Sequence, residues 1–153
     1  MTIRPATPAD RAAITAIARA AYAQYIPAIG REPAPMLADF ASLIAADHAW
    51  VTGRPPQGFI VMFPRGDHMF LENLAVHPDA TGQGLGRALI AFCEDSAAAL
   101  GLKAVELYTN AAMTANQRLY PRLGYRETHR ATECGFDRIY YRKSLTRGDD
   151  RSP

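Results

Sequence analysis

The chain has 153 residues, of which 48% are hydrophobic and 21% charged, and its formal net charge is +2. This composition is typical of one soluble globular domain and excludes a disordered, collagen-like or coiled-coil chain. No apolar run approaches the ~20 residues of a membrane-spanning helix, and the charge is too small for a nucleic-acid-binding protein. Cys93 and Cys134 are too few for a disulfide framework, and the N-terminus lacks the layout of a signal peptide. We therefore expect a cytoplasmic protein that binds neither nucleic acid nor membrane.

The N-terminal half predicts a strand, two helices and three strands. Thr7 is the expected N-cap of the first helix, with Pro8 at its first position, and apolar residues follow at helical spacing up to Tyr22. The predicted elements are a strand over 3–6, a helix from Thr7 that stops before Pro27, a loop over 26–35, a helix over 36–46, and strands over 48–52, 58–63 and 69–76. Short turns between the last three strands favour antiparallel pairing.

The C-terminal half alternates helices and strands. One apolar face of a long helix is predicted at Leu85, Ala88, Leu89, Phe92, Ser96, Ala99 and Leu100. Gly101 closes this helix, and Thr114 with Gln117 has the form of a capping box that begins another. The remaining predicted elements are strands over 103–109, 124–128 and 136–145. The element order indicates an α/β (α+β) fold with a mixed, mostly antiparallel sheet in a single domain over 1–145, followed by a polar tail over 146–153.

A glycine-rich turn over 76–87 joins the best predicted strand to the best predicted helix. Glycines let backbone amides point at one spot, and the helix N-terminus adds a partial positive charge, which favours a phosphate or pyrophosphate. A P-loop is excluded because Arg87 and Ala88 follow Gly86, and a dinucleotide fingerprint is excluded because residue 87 is not small. The alternative is a turn that uses glycine only to bend.

The same turn resembles the acetyl-CoA-binding segment of the GNAT superfamily, the GCN5-related N-acetyltransferases. That family's signature is Arg or Gln, two free positions, Gly, one free position, then Gly or Ala. Gly84 and Gly86 match it, whereas Thr81 stands at the Arg or Gln position. A second segment, 116–125, resembles the family's late helix, in which Asn precedes Leu-Tyr and a Leu-Gly-aromatic follows. The element order from 3 to 145 also matches, so the resemblance implies a GNAT-like fold with about four helices flanking the sheet.

The resemblance implies acetyl-CoA as co-substrate and no metal. The residues that it assigns to the cofactor are Leu74, Ala75, Val76, Thr81, Gly82, Gln83, Gly84, Leu85, Gly86, Arg87, Asn116 and Tyr120. Tyr120 matches the tyrosine whose hydroxyl protonates the departing CoA thiolate; the alternative is an aromatic side chain bonded to a backbone carbonyl. Pro121, which has no amide N–H, is expected to kink or end the helix at Tyr120.

An acceptor amine must lose a proton before it attacks, because alkyl ammonium groups have a pKa of about 10.4. Glu72 is the candidate base, since apolar neighbours on its strand favour a raised pKa; the alternative is a solvated strand residue. Tyr22 and Tyr25 resemble residues of the acceptor pocket, and Tyr22 has core packing as its alternative. Glu72 is also assigned to this pocket.

The resulting hypothesis is an N-acetyltransferase that moves an acetyl group to a primary amine of a small molecule or peptide by direct attack in a ternary complex. One rival is a non-catalytic acyl-CoA-binding regulatory module, which the departures at Thr81 and Pro121 keep open. A second rival is a nucleotide-phosphate-binding protein. A homodimer is compatible with the sequence, although no feature of the sequence supports one.

Overall fold

The structure is a computed structural model that describes residues 2–145. The predicted tail over 146–153 lies outside the described residues. These residues form two compact units, the first comprising 2–63 and 71–92 and the second 64–70 and 93–145. The single domain over 1–145 stays a prediction.

Seven strands form the mixed sheet of this fold. They are β1 (Ile3–Pro5), β2 (Ala49–Thr52), β3 (Gly58–Arg65), β4 (His68–Val76), β5 (Ala104–Asn110), β6 (Arg126–Glu133) and β7 (Phe136–Ser144). The strand order is β1-β2-β3-β4 in the first unit and β5-β7-β6 in the second. Residues 64–70, at the tip of the β3–β4 hairpin, belong to the second unit. β1 with β2, β2 with β3, β5 with β7 and β6 with β7 are antiparallel pairs, as predicted for most of the sheet.

The helices follow the predicted order. They are α1 (Arg11–Tyr22), α2 (Ile26–Ile29), α3 (Phe40–Ala45), α4 (Leu85–Ala99) and α5 (Thr114–Arg122), with 3₁₀ turns at Pro8–Asp10, Ala23–Tyr25, Ala34–Leu37 and Pro78–Ala80. Among the described residues, four helices exceed a single turn, as expected. None of the helices that the structure describes has both the length and the apolarity to span a membrane.

Each unit has its own apolar core. In the first unit, Ile14 and Ile17 of α1 are buried, as their helical spacing predicts, together with Phe59 of β3. In the second unit, Leu107 of β5 and Ile139 of β7 are almost completely buried. Period-2 alternation along β5 separates this buried face from a half-exposed one.

The predicted boundaries between α1 and β2 are wrong. The expected loop over 26–35 contains α2. Pro27 does not prevent this helix, because it lies in the first turn, where proline is tolerated. The helix expected over 36–46 begins only at Phe40. Asp39 caps it, since its carboxylate accepts hydrogen bonds from the Ser42 amide at 3.2 Å and the Ser42 hydroxyl at 2.8 Å.

The predicted apolar face of α4 is wrong in its C-terminal half. Leu100 is 62% exposed and Ala99 is also exposed, whereas Cys93 and Ala97 are completely buried. The buried face instead contains Leu89, Cys93 and Ala97, which are four residues apart. This spacing is as compatible with one helix face as the predicted one.

The ends of α5 also differ from the prediction. Met113 is the N-cap of this helix, and the side-chain amide of Gln117 donates to the Ala111 carbonyl. Thr114 and Gln117 therefore do not form the expected capping box. Pro121 lies in the last turn, and the helix continues to Arg122 instead of ending at Tyr120.

Candidate functional site

The glycine-rich turn begins where β4 ends. The His77 amide donates to the Gln57 carbonyl at 2.7 Å, and His77 Nδ1 accepts from the Asp79 amide at 3.1 Å, which starts the 3₁₀ turn. Gly82 and Gly84 follow with φ of +83° and +79°. This left-handed backbone favours glycine and leads directly into α4.

The turn offers free backbone donors. Ala88 is the first residue of α4 whose amide bonds back along the chain, to the Gly84 carbonyl at 3.0 Å. Among residues 2–145, the amides of residues 82–87 have no hydrogen-bond acceptor, and most of these residues are solvent-exposed. A row of unpaired amides at the positive end of a 15-residue helix has the electrostatics of an anion site.

Thr81 and Arg87 flank these amides. The Thr81 hydroxyl donates to the Pro78 carbonyl at 2.9 Å, so it is turned back towards its own 3₁₀ turn. Arg87 is exposed in the first turn of α4, and it forms no ion pair within the described part of the chain. Its guanidinium is therefore available to a phosphate at the helix start.

The C-terminal part of β4 has two different faces. Glu72, Leu74 and Val76 lie on one face and are half-exposed. Asn73 and Ala75 lie on the other and are buried. Glu72 thus shares its face with Leu74 and Val76, two residues assigned to the cofactor from the resemblance.

A buried hydrogen-bond network joins β4 to α1 and to the segment before α3. The Tyr22 hydroxyl lies 2.8 Å from both Asn73 Oδ1 and the Leu74 carbonyl. Asn73 Nδ2 donates to the Pro35 carbonyl at 2.9 Å. Sequence reasoning missed Asn73; its only signal was a second polar residue directly after Glu72 in a mostly apolar strand. Tyr25 is half-buried in the 3₁₀ turn that follows α1.

The second unit contains Tyr120, in the last part of α5. Tyr120 is 5% exposed, and its ring contacts those of Tyr125 and Tyr141 at centroid distances of 5.5 and 6.0 Å. Burial raises the pKa of the Tyr120 hydroxyl well above its usual value, with further contributions from nearby Cys93 and Tyr141. This hydroxyl therefore stays protonated at neutral pH, as a proton donor must.

Asn116 lies one helical turn before Tyr120, on the same face of α5. The backbone N–H of Asn116 donates to the Met113 carbonyl at 3.1 Å, and the side-chain nitrogen of Asn116 lies 3.7 Å from the Met113 sulfur. Sulfur is a weak acceptor, so the Asn116 side chain keeps most of its hydrogen-bonding capacity.

Cys93 and the histidines offer no alternative chemistry in the described chain. Cys93 is completely buried, and burial raises the pKa of its thiol to about 12, which disfavours a nucleophilic thiolate. No cluster of at least three His, Cys, Asp or Glu residues suited to a metal ion occurs within residues 2–145.

Comparison with known proteins supports an acetyl-CoA-type site. The family model of the acetyltransferase (GNAT) family matches residues 14–125. No curated protein sequence matches the chain. PaiA N-acetyltransferase from Thermoplasma acidophilum, solved with coenzyme A, is 16% identical with a TM-score of 0.78, over 94% of this chain and 98% of that one.

Two further solved structures have similar folds. The ribosomal-protein-S18-alanine N-acetyltransferase from Escherichia coli is 23% identical with a TM-score of 0.74, over 99% of this chain and 98% of that one. YncA from Salmonella typhimurium, solved with its cofactor acetyl-CoA, is 22% identical with a TM-score of 0.69, over 95% of this chain and 94% of that one. Since the family model covers most of the sequence, including both the glycine-rich turn and α5, the chain belongs to the GNAT family of acetyltransferases.

Proposed function

We propose that the protein is an N-acetyltransferase that moves an acetyl group from acetyl-CoA to a primary amine by direct attack in a ternary complex. The observation that carries this proposal is the row of unpaired amides over 82–87 at the start of α4, in a chain of the GNAT family. Acetyl-CoA, when bound, supplies the acetyl group as an activated thioester. The unpaired amides and Arg87 bind its phosphates.

The remaining cofactor contacts come from β4 and α5. The backbone of residues 74–76 holds the pantetheine arm, with the Leu74 or Val76 amide polarising the thioester carbonyl. The Asn116 side chain binds the same arm. Thr81, which the resemblance assigned to the cofactor, has no free donor for it, because its hydroxyl and its backbone amide are both bonded to the Pro78 carbonyl.

Glu72 is the proposed proton acceptor and Tyr120 the proposed proton donor. Glu72 accepts the proton that the acceptor ammonium must lose, directly or through water, since its carboxylate is on the accessible face of β4. Tyr120 is the proposed donor of the proton that the departing thiolate takes up, since its hydroxyl is neutral at pH 7. The buried Cys93 is not a covalent carrier, which supports direct transfer over an acyl-cysteine route.

The acceptor is the amine of a small molecule or of a peptide. The fold similarity to the ribosomal-protein-S18-alanine N-acetyltransferase supports inclusion of a peptide with an N-terminal alanine among the acceptors tested. Tyr22, Tyr25 and Glu72 are the proposed acceptor-side residues, and the cytoplasm is the proposed compartment.

The experiment that tests this proposal follows free CoA thiol with acetyl-CoA and two acceptors, spermidine and the tripeptide amide Ala-Ala-Ala-NH₂. We expect thiol release with at least one acceptor, and we expect Tyr120→Phe to lower kcat by roughly ten- to a thousandfold with acetyl-CoA affinity nearly unchanged. Tyr125→Phe is the matched control, because Tyr125 donates to Glu94 at 2.9 Å and has no proposed catalytic role. Acetyl-CoA binding without thiol release from either acceptor would favour the rival acyl-CoA-binding module.

A further inference from the structure

Asn73 is a polar residue in the buried face of β4. It is 3% exposed, and its strand neighbours on that face, Leu71 and Ala75, are buried and apolar. Burying a side-chain amide in this apolar face costs free energy unless the amide is hydrogen-bonded. Both the oxygen and the nitrogen of the Asn73 side-chain amide have a hydrogen-bond partner.

The partners define the orientation of the Asn73 amide. The Pro35 carbonyl can only accept, so the atom 2.9 Å from it is the amide nitrogen, Nδ2. Oδ1 therefore faces the Tyr22 hydroxyl at 2.8 Å. Asn73 thus links two segments that are 51 and 38 residues away in sequence.

Tyr22 extends the same network to the next residue of β4. Its hydroxyl is also 2.8 Å from the Leu74 carbonyl, so one hydroxyl proton is shared between two acceptors on consecutive residues. The end of α1 and the 3₁₀ segment Ala34–Leu37 are consequently held at Asn73 and Leu74, the two strand positions that follow Glu72.

We propose that Asn73 is a positioning residue for the acceptor amine: it holds Tyr22, a proposed acceptor-side residue, and the Ala34–Leu37 segment in the arrangement that binds the acceptor. This inference rests on the proposed function. The network contains none of the amides of 82–87 proposed for the cofactor phosphates, and it meets the strand proposed for the pantetheine arm only at the Leu74 carbonyl. We therefore expect its loss to weaken acceptor binding more than acetyl-CoA binding.

Two variants remove different parts of the network. Asn73→Asp keeps the size of the side chain and an acceptor for Tyr22, but it places a carboxylate oxygen against the Pro35 carbonyl. Tyr22→Phe removes only the hydroxyl. The matched control is Thr52→Val, which removes another buried hydrogen bond of the first unit, from the Thr52 hydroxyl to the Thr2 carbonyl at 3.0 Å.

The measurements are the KM for the acceptor that the wild type acetylates, Ala-Ala-Ala-NH₂ or spermidine, the Kd for acetyl-CoA, and amide hydrogen exchange over 34–37. For both variants we expect the acceptor KM to rise about tenfold or more, with the Kd for acetyl-CoA within about threefold of wild type. Exchange over 34–37 should become faster in both variants and not in Thr52→Val.

The outcomes separate this inference from the proposed function. An acceptor KM that is unchanged in both variants would overturn the inference while leaving the proposed function intact. An equal loss of acetyl-CoA affinity would also overturn it, because that result means a general structural role. If the wild type acetylates neither amine, the proposed function is wrong and the inference is wrong with it.

Discussion

The glycines of the turn before and within α4 are required for different reasons. Gly82 and Gly84 have positive φ, and a Cβ at either position would meet no atom within 4 Å, so their requirement is conformational. Gly86 is helical, and its Cβ would lie 3.9 Å from a Val76 methyl carbon, an ordinary contact. The protein itself therefore has room for a side chain at 86, and the proposed cofactor site gives a reason for a small residue there.

Gly86→Ala and Gly86→Val should separate stability from binding. Because alanine is the better helix former and fits beside Val76, we expect Gly86→Ala to stabilise the ligand-free protein by up to about 1 kcal/mol. The family signature admits alanine here, so Gly86→Ala should keep its acetyl-CoA affinity, whereas the branched side chain of Gly86→Val should lower that affinity about tenfold or more by filling the space of the phosphates. Chemical denaturation and calorimetric titration measure the two effects.

Gly84→Ala is the contrasting control, because it forces a Cβ onto a left-handed backbone and should cost about 1–2 kcal/mol of stability. If Gly86→Val binds acetyl-CoA as tightly as the wild type, the phosphate site is not at this turn.

The junction of β1 with α1 depends on one carboxylate. Asp10 is 6% exposed and accepts hydrogen bonds from Arg4 at 2.8 and 2.9 Å and from the Thr7 amide at 2.8 Å. Thr7 is the N-cap of the 3₁₀ turn Pro8–Asp10, whereas the sequence predicted it as the N-cap of the first α-helix, which begins only at Arg11. The Arg4 guanidinium, with the Thr7 hydrogen bonds, holds the pKa of Asp10 well below its usual range.

This cluster should make part of the stability depend on pH. The pKa of Asp10 is depressed in the folded state, so its contribution is complete above the unfolded pKa of about 3.9, declines below that value, and is fully lost only below the folded-state pKa. Asp10→Asn should therefore cost about 2 kcal/mol at pH 7 and roughly 1 kcal/mol less at pH 3, as measured by urea unfolding. An equal cost at both pH values would show that the ion pair does not provide this stability.

At the scale of the whole molecule, the two units contain different optical probes. Trp50, the one tryptophan of the chain, contacts Phe92 in the first unit at a ring-centroid distance of 5.8 Å. The second unit contains the Tyr108–Tyr140 contact at 5.4 Å. Fluorescence of Trp50 therefore reports unfolding of the first unit, whereas far-UV circular dichroism reports both.

We expect one cooperative transition, as a single domain over 1–145 requires. The two melting curves should coincide, and acetyl-CoA at about 100 times its Kd should raise the Tm by roughly 5–10 °C through mass action. Two separated transitions would mean that the units unfold independently. Stabilisation by ATP but not by acetyl-CoA would instead select the nucleotide-binding rival.

Local signals in the sequence were enough for the order of elements and for most of their boundaries. α1, the strand pattern and the glycine-rich turn depend on neighbours within a few residues: the cap at Thr7, the 3.6-residue period of Ile14 and Ile17, and the alternation along β5. The two motifs at 81–86 and 116–125 were local as well, which is why the family was recognisable before the structure. Their roles at the site stay predictions.

Tertiary structure alone decided which of several locally acceptable patterns was used. The start of α3 at Phe40 is an exception, because it is set by the local Asp39–Ser42 cap, which the sequence prediction overlooked since Met36 and Phe40 are both apolar. Along α4, burial of Cys93 and Ala97 selected one helical face over the one ending at Leu100. Asn73 and Tyr22 meet across 51 residues, and no local pattern encodes such a contact, because the free energy of a buried hydrogen bond is gained only once the packed core brings its partners together.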